Sequence, residues 1–461
     1  MRRWRVFLAL GPLLVAVGGA AWSYRAAYRE GDAGPLPGPR DGVVLIVTDN
    51  VRADHTSLCG YARPTTPGLE AFARAPGAVS TCRAYAPGSW TLPSHASFFT
   101  GQGPLEHGAH EYRGEVKDTR GSGITTHKLK PETETLAEQM RMRGYQTVLL
   151  AGNPVVSGPT GLAQGFAHVR AAREFGDLDW PVLVDSLREL IRHELEPLGG
   201  PLFLVVNLAE AHRPWKGVPR DHPYLAKRGR LQFDNKRLDS PWRELLEDRI
   251  SEEEREQFLG HITEVYDYGI ERADKGASEV LRAVRETGWC GEDCRVVVTS
   301  DHGEFIGEHD LVDHGFYAWE ANARVFVAAQ GVDVQALPEP FPAAAVYRLL
   351  RDGTLPEPLP DAELPAWPHV RRHLHSMGRA FGSVSLARWS GSSKLMWMDG
   401  EFFRFDLRAD AGEAVRLPLD PDASFAAFAR RVEAAQFKDK SAPDEQDADM
   451  IEMLEAAGYM Q

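Results

Sequence analysis

The sequence predicts an α/β protein: a mostly parallel central sheet with helices on both faces, followed by a small C-terminal α+β subdomain. Three observations carry this. Continuous apolar runs of strand length recur along the chain, as in strands buried on both faces. Amphipathic helical patterns lie between them, which is the order of a doubly covered sheet. Short alternating segments follow near the C-terminus. The 461 residues suffice for one large domain with appendages. The globular balance, 43% hydrophobic and 26% charged, excludes wholesale disorder. A net charge of −14 argues against nucleic acid as a partner, because phosphate binding needs a basic face.

The N-terminus reads Met1-Arg2-Arg3-Trp4-Arg5, then an uncharged run from Val6 to Trp22. The leading arginines place its start on the cytoplasmic side. Residues 1–29 are expected to be an uncleaved signal anchor, with a cleaved signal peptide as the alternative. In either case the rest of the chain lies outside the cytoplasm, periplasmic or extracellular. Residues 30–41, rich in Pro and Gly, read as a linker.

The catalytic-size domain is expected over 42–340. Its strands are the run Val43 to Val47, then Thr147 to Ala151, Leu202 to Asn207, Val296 to Thr299 and Val325 to Ala329. One intervening helix opens on the capping box Thr135-x-x-Glu138 and stops at Gly144. Another carries Ile270, Ala273, Ala277, Val280, Leu281 and Val284 on one face and ends near Gly288. Residues 341–375 read as a Pro-rich connection. In the C-terminal subdomain, 376–435, Ser383 to Trp389, Lys394 to Met398 and Phe402 to Asp406 read as antiparallel strands, and a helix follows from about Pro421 to Ala435. The acidic tail, 436–461, ends in an amphipathic helical turn. The four cysteines are too few for a disulfide scaffold, and no C-x-x-C pair suggests zinc. Cys290 and Cys294 admit a local disulfide in an exported chain. Spacing alone leaves four free thiols equally open.

In parallel sheets sites form beyond the carboxyl ends of strands. Asp49 and Asp301 each follow such an end. Around them lie Asp49-Asn50-Val51-Arg52-Ala53-Asp54-His55, Ser89 to Gly101 with Thr91 and His95, Glu210 to Pro214 with His212, and Ser300 to Glu304 with His309 and His314 beyond. Singly each is weak, since an Asp after a strand is often a cap and a His is more often structural. Together they suggest a divalent cation held by carboxylates, an imidazole and a hydroxyl, with Mn, Mg, Ca or Zn as candidates. Arg52, Asp54 and His55 are expected to brace the first turn. His107 and His110 suit loop filling as well as substrate, and Asp274 a helix contact.

These blocks resemble the sulfatase family of the alkaline phosphatase superfamily. The resemblance runs through Asp49 to Tyr61, Thr91-Leu92-Pro93-Ser94-His95 to Gly101 and His107-Gly108. It continues through Leu136 to Tyr145, Phe203 to Pro214, Ser300 to Gly315 and Phe405-Asp406-Leu407 with Asp410 and Glu413, and covers roughly 41–461. It implies that Asp49, Asn50, Asp301 and His302 bind one divalent metal ion and that Thr91 is the nucleophile completing the shell. His212 and His314, with His95 and His309 as further candidates, hold the anionic ester or protonate the leaving group. Asn153 stands in the block where the family carries a lysine, and by that position is expected to bind substrate. The chain departs from the family at Thr91, where sulfatases carry the Cys or Ser that becomes formylglycine, at His95, usually Arg, and at Asn50, a neutral donor. A Thr–sulfate intermediate lacks the aldehyde escape route, whereas a Thr–phosphate can be resolved by water or an alcohol. The expectation is therefore a phosphate ester hydrolase or transferase, with an anionic lipid or envelope glycan as substrate. A sulfate ester hydrolase and a non-catalytic envelope binding protein are the alternatives.

Overall fold

The structure is a computed structural model and describes residues 42–113, 124–215, 218–219, 221–224, 251–291, 293–367, 384–398, 400–435 and 448–456. The signal anchor and linker lie outside these residues. Among the described residues no helix is long and apolar enough to cross a membrane.

The eight-stranded sheet runs in the order Phe341–Pro342, Val79–Tyr85, Arg324–Gln330, Arg295–Thr299, Gly42–Thr48, Leu202–Leu208, Gln146–Ala151, His168–Ala171. Only Arg324–Gln330 is antiparallel to its neighbours. All five apolar runs are strands of this sheet, and Gly42–Thr48 lies near its centre. The strand period explains why the runs are continuously apolar. Val43, Leu45 and Val47 point into one core, Val44 and Ile46 into another. The first core is closed by the helices Thr91–Thr100, Leu136–Met142 and Val346–Asp352, through residues such as Leu92, Met140 and Leu349. The second is closed by Pro67–Ala73, Trp180–Leu190 and the long helix Glu252–Glu286, through Phe72, Leu187 and Val280. The Thr135/Glu138 capping box is present.

A second, five-stranded antiparallel sheet follows: Ala362–Ala366, Ser385–Ser390, Ser393–Met398, Glu401–Asp406 and Leu417–Pro418. One face receives the helix Ala423–Ala435 through Phe425, Ala429 and Val432. Met396, Phe403 and Phe405 pack instead on Phe305, Phe316 and Trp319 of the main-sheet domain. The terminal helix Ala448–Ala456 buries Met450 and Leu454 in the first core, which accounts for its amphipathic pattern.

The stretch 341–375 differs from the expected connection. It supplies the edge strand Phe341–Pro342, a helix on the main sheet, and the first strand of the C-terminal sheet. Its prolines misdirect the reading. Pro342 and Pro365 both occupy edge strands, where a missing N–H leaves no ladder bond unmade.

The four cysteines form two disulfides, Cys59–Cys82 and Cys290–Cys294, with Cα separations of 5.6 and 5.0 Å. The first joins segments that sequence spacing gave no reason to pair.

Candidate metal and nucleophile site

Five strand ends converge at one edge of the sheet. Gly42–Thr48 delivers Asp49 and Asn50, and Arg295–Thr299 delivers Asp301 and His302. Gln146–Ala151 leads to Asn153, and Leu202–Leu208 carries Asn207 and leads to His212. Val79–Tyr85 leads to Thr91, the first residue of the helix Thr91–Thr100. Asp49, Asn50, Thr91, Asn153, Asp301 and His302 are fully buried.

The loops that carry Asp49 and Asp301 are knitted together by hydrogen bonds between backbone and side chains. Asn50 adopts a left-handed conformation (φ 65°), which Asn tolerates better than most residues. Its N–H donates to Asp301 Oδ1 at 2.9 Å, and its side-chain amide donates to Glu304 Oε2. Ser300 Oγ accepts from Val51 N–H and donates to His302 O, both at 2.9 Å. The Tyr266 hydroxyl donates to Asn50 O at 2.7 Å and accepts from Arg52 N–H at 2.9 Å.

Three oxygens of this cradle have no hydrogen-bond partner among the described residues: Asp49 Oδ1, Asn50 Oδ1 and Asp301 Oδ2. His302 Nε2 lies 3.9 Å from Asp49 Oδ1, 3.4 Å from Asp301 Oδ2 and 3.3 Å from Thr91 Oγ1. His302 Nδ1 faces Gly303 O at 2.9 Å, so Nδ1 carries the proton and Nε2 keeps its lone pair for a cation. Asp49, Asp301 and His302 are close enough to share one ion. Buried oxygens left unpaired cost free energy, and a hard divalent cation would satisfy them together. The residues present therefore fit a metal.

Electrostatics agree. Burial, reinforced for Asp49 by the charge of Asp301, pushes both carboxyls up to about 7. Burial also lowers His302 to about 3, so its imidazole is neutral. In the metal-free state the raised carboxyls bind more protons than in the unfolded chain between about pH 4 and 7. Their contribution to the stability of the chelated protein is therefore greatest at the acid end of that window and declines as pH rises through 7, against the opposite contribution of His95, His107, His110, His302 and His314, which burial lowers to about 3. Metal isolates the carboxylates: in thermal unfolding, added Mn should stabilise the chelator-stripped protein strongly at pH 8 and little at pH 5.5. Buried Glu111 and Glu210, raised to about 8 and about 7, share the decline but should not respond to metal.

Thr91 Oγ1 receives the Asn153 amide at 3.1 Å. The same amide donates to Asp49 Oδ2 at 2.8 Å, and Asn207 donates there at 2.9 Å. Asn153 thus ties the hydroxyl to the cradle. The Thr91 helix has ten residues and no side-chain cap, and Thr91 is the first residue at its positive end.

His212 and His314 flank this centre. The His314 ring lies 4.4 Å from that of His302 and 5.0 Å from that of His212, which stacks on Phe175. His314 Nδ1 donates to Glu304 Oε2 at 2.9 Å. Burial, with the charge of Arg213, lowers His314 to about 3.

His95 lies against the underside of the cradle, its Nδ1 3.5 Å from Asp301 Oδ2, and His309 lies away from it. His95 is wholly buried beneath the cradle, with Nδ1 donating to Thr91 O at 3.0 Å and its ring edge-on to Phe99. Its helix turns it inward, one turn below Thr91. His309 stacks on Trp319 and approaches Glu413 at 3.9 Å, against the C-terminal sheet rather than the cradle. Arg52 does brace Asp54, at 2.8 Å, while His55 pairs across to Asp267 at 2.7 Å. Asp274 accepts from the N–H groups of Gly68 and Leu69, both at 2.8 Å. His107 and His110 are buried, and His107 bonds Ser97 at 3.1 Å. Sequence reading missed Asn207, whose signal was a polar residue closing an apolar strand. It also missed the role of Glu304, and Tyr266, which carries no signal of its own.

The sulfatase family model matches residues 42–327, well over half of the chain. The chain belongs to the sulfatase family. As a sulfatase-family member of the alkaline phosphatase superfamily it is an enzyme acting on ester bonds, and the family generally uses a divalent metal. Among solved structures it is similar to the phosphonate monoester hydrolase of Agrobacterium radiobacter (16% identity, TM-score 0.57, covering 86% of this chain and 95% of that one). It is likewise similar to that of Silicibacter pomeroyi (19%, 0.56, 86% and 94%) and to a 2-O GAG sulfatase (15%, 0.59, 89% and 96%). No curated protein matches the sequence.

Proposed function

We propose that this sulfatase-family enzyme cleaves phosphate mono- or diesters through a covalent phosphothreonine at Thr91. The observation that carries the reading is a threonine hydroxyl where the family places a formylglycine precursor, 3.3 Å from His302 Nε2 and bonded to Asn153 beside the carboxylate cradle. Formylglycine chemistry needs a geminal diol that collapses to an aldehyde. Threonine offers one hydroxyl, so its ester must be released by attack at the transferred atom, a course open to phosphate. The family match is what favours the second reading, a sulfate ester hydrolase.

A cation held by Asp49, Asn50, Asp301 and His302 would lower the hydroxyl's pKa and offset charge on the transferred group. Mn, Ca, Mg and Zn all suit this donor set. Asn153 and the helix N-terminus orient Thr91 Oγ and favour the anion. Thr91 Oγ gives up its proton to solvent and its O–P bond forms as the ester O–P bond breaks and the leaving alkoxide takes a proton. His314 is neutral in the substrate-free protein, and an arriving anion raises its proton affinity. His314, with His212 beside it, then donates that proton. It accepts one back from the water or alcohol that attacks the phosphothreonine and releases Thr91.

An extracytoplasmic location is supported by the two disulfides, which persist in oxidising compartments. The apolar run Val6 to Trp22 supports an anchor, and an anchor favours a lipid or envelope-glycan ester. The test is turnover by the full chain, loaded with Mn or Ca, of a nitrophenyl phosphate, a bis-nitrophenyl phosphate and a nitrophenyl sulfate. Phosphate turnover is expected. Turnover of the sulfate alone would overturn the proposal.

A further inference from the structure

One turn of helix, Glu320–Ala323, touches both reactive loops and the C-terminal sheet. The side-chain amide of Asn322 donates to Ser89 O at 3.2 Å, two residues before Thr91, and to Tyr317 O and Phe316 O at 3.2 and 3.4 Å. Ser89 O also accepts from Gly315 N–H at 2.9 Å, the residue after His314. On its other side the turn receives the loop that follows His302. Gly303 N–H donates to Asn322 O at 2.8 Å and Glu304 N–H to Ala321 O at 3.1 Å. This approach is so close that a Cβ on Gly303 would lie 2.1 Å from Ala321 O.

The same turn is clamped from the C-terminal sheet. Glu413 Oε2 accepts from Glu320 N–H at 2.7 Å, capping the turn, while Glu413 Oε1 accepts from Lys394 Nζ. Lys394 is fully buried and lies 3.4 Å from Glu320 Oε1, which also accepts from Trp389 Nε1 at 2.7 Å. A buried lysine between two carboxylates is poor evidence for stability in itself, since apolar packing often does as well. It does fix one geometry, because each partner is left uncompensated if the turn moves.

We propose that Asn322 is a positioning residue that holds the Thr91 loop against the Asp301–His302 loop, and that Lys394 and Glu413 act through it from the C-terminal sheet. The proposal rests on the reading of Thr91 and the cradle as the reactive centre. It assigns the C-terminal subdomain a part in catalysis without contact with substrate.

The experiment compares Asn322→Leu, Lys394→Met and the combined variant in the metal-loaded full chain. A Lys394→Met/Glu413→Gln variant, which keeps an acceptor for Glu320 N–H and removes the orphaned charge, stands in if Lys394→Met does not fold. Each single change should lower kcat on the phosphate ester by at least about 30-fold and leave KM within about threefold. The combined variant should be no slower than the worse single, because both act on one linkage. Unchanged kcat, or effects that multiply, would overturn the proposal. Hydrogen exchange over residues 86–100 is followed in parallel and should quicken in both variants. If the wild type turns over no ester, the functional reading is at fault, and exchange alone then decides: unaltered protection refutes the linkage.

Discussion

Thr91→Ala is expected to lower kcat by at least about 1,000-fold, roughly 4 kcal/mol of barrier, with the fold intact. The change removes a hydroxyl bonded to Asn153 and facing His302, and nothing in the core depends on it. Two lost partners in a polar cluster cost about 1–2 kcal/mol, which a cooperative domain survives. Thr91→Ser separates chemistry from packing. It keeps the oxygen and loses only a methyl, so kcat should stay within about tenfold of wild type. Steady-state kinetics with unfolding curves on the same preparations check both expectations.

Asp301→Asn should have effects of opposite sign on activity and on metal-free stability. Asp301 Oδ1 accepts from Asn50 N–H and His302 N–H at 2.9 and 3.0 Å, and an asparagine oxygen can keep both. What changes is Oδ2, the buried oxygen without a partner, and the like charge beside Asp49. Metal affinity should fall by more than about a hundredfold and turnover should disappear with it. In chelator at pH 8, however, the variant should melt roughly 2–3 °C above the wild type, because one of two crowded carboxylates is gone. The gap should narrow as pH falls through 5.5 and close near pH 4, where the carboxyl is protonated in the folded and unfolded chain alike. A variant less stable than wild type at pH 8 would mean the carboxylates are held by something other than a cation.

Much of this site was legible because strand ends announce it. Asp49, Asp301 and His302 each stand within three residues of the end of a strand-length apolar run, and the fold brings those ends together by rule. Thr91 came from the block that resembles the family, since a threonine opening a helix is otherwise unremarkable. The errors have physical causes. His95 lies one helical turn beyond Thr91, and sequence alone does not say that this helix is buried along its whole length, which puts His95 beneath the cradle. His309 shares a loop with His314, yet the reversal through its left-handed backbone (φ 53°) carries it to Trp319 and the C-terminal sheet. Asn153 read as a substrate ligand because of its position in the chain. The structure gives it Asp49 and Thr91 instead. The linkage through Asn322, Glu413 and Lys394 depends on partners far apart in sequence, which no local pattern encodes.

The central claim is that Thr91 takes the transferred group before water or an alcohol does. The stereochemical course at phosphorus tests it without requiring the intermediate to accumulate. A phosphorothioate diester chiral at phosphorus is turned over by the metal-loaded enzyme in oxygen-18 water, which makes the monoester product chiral, and its configuration is read by phosphorus NMR. Two in-line displacements, one onto Thr91 and one off it, predict net retention. Net inversion would mean a single direct displacement, and would contradict the account.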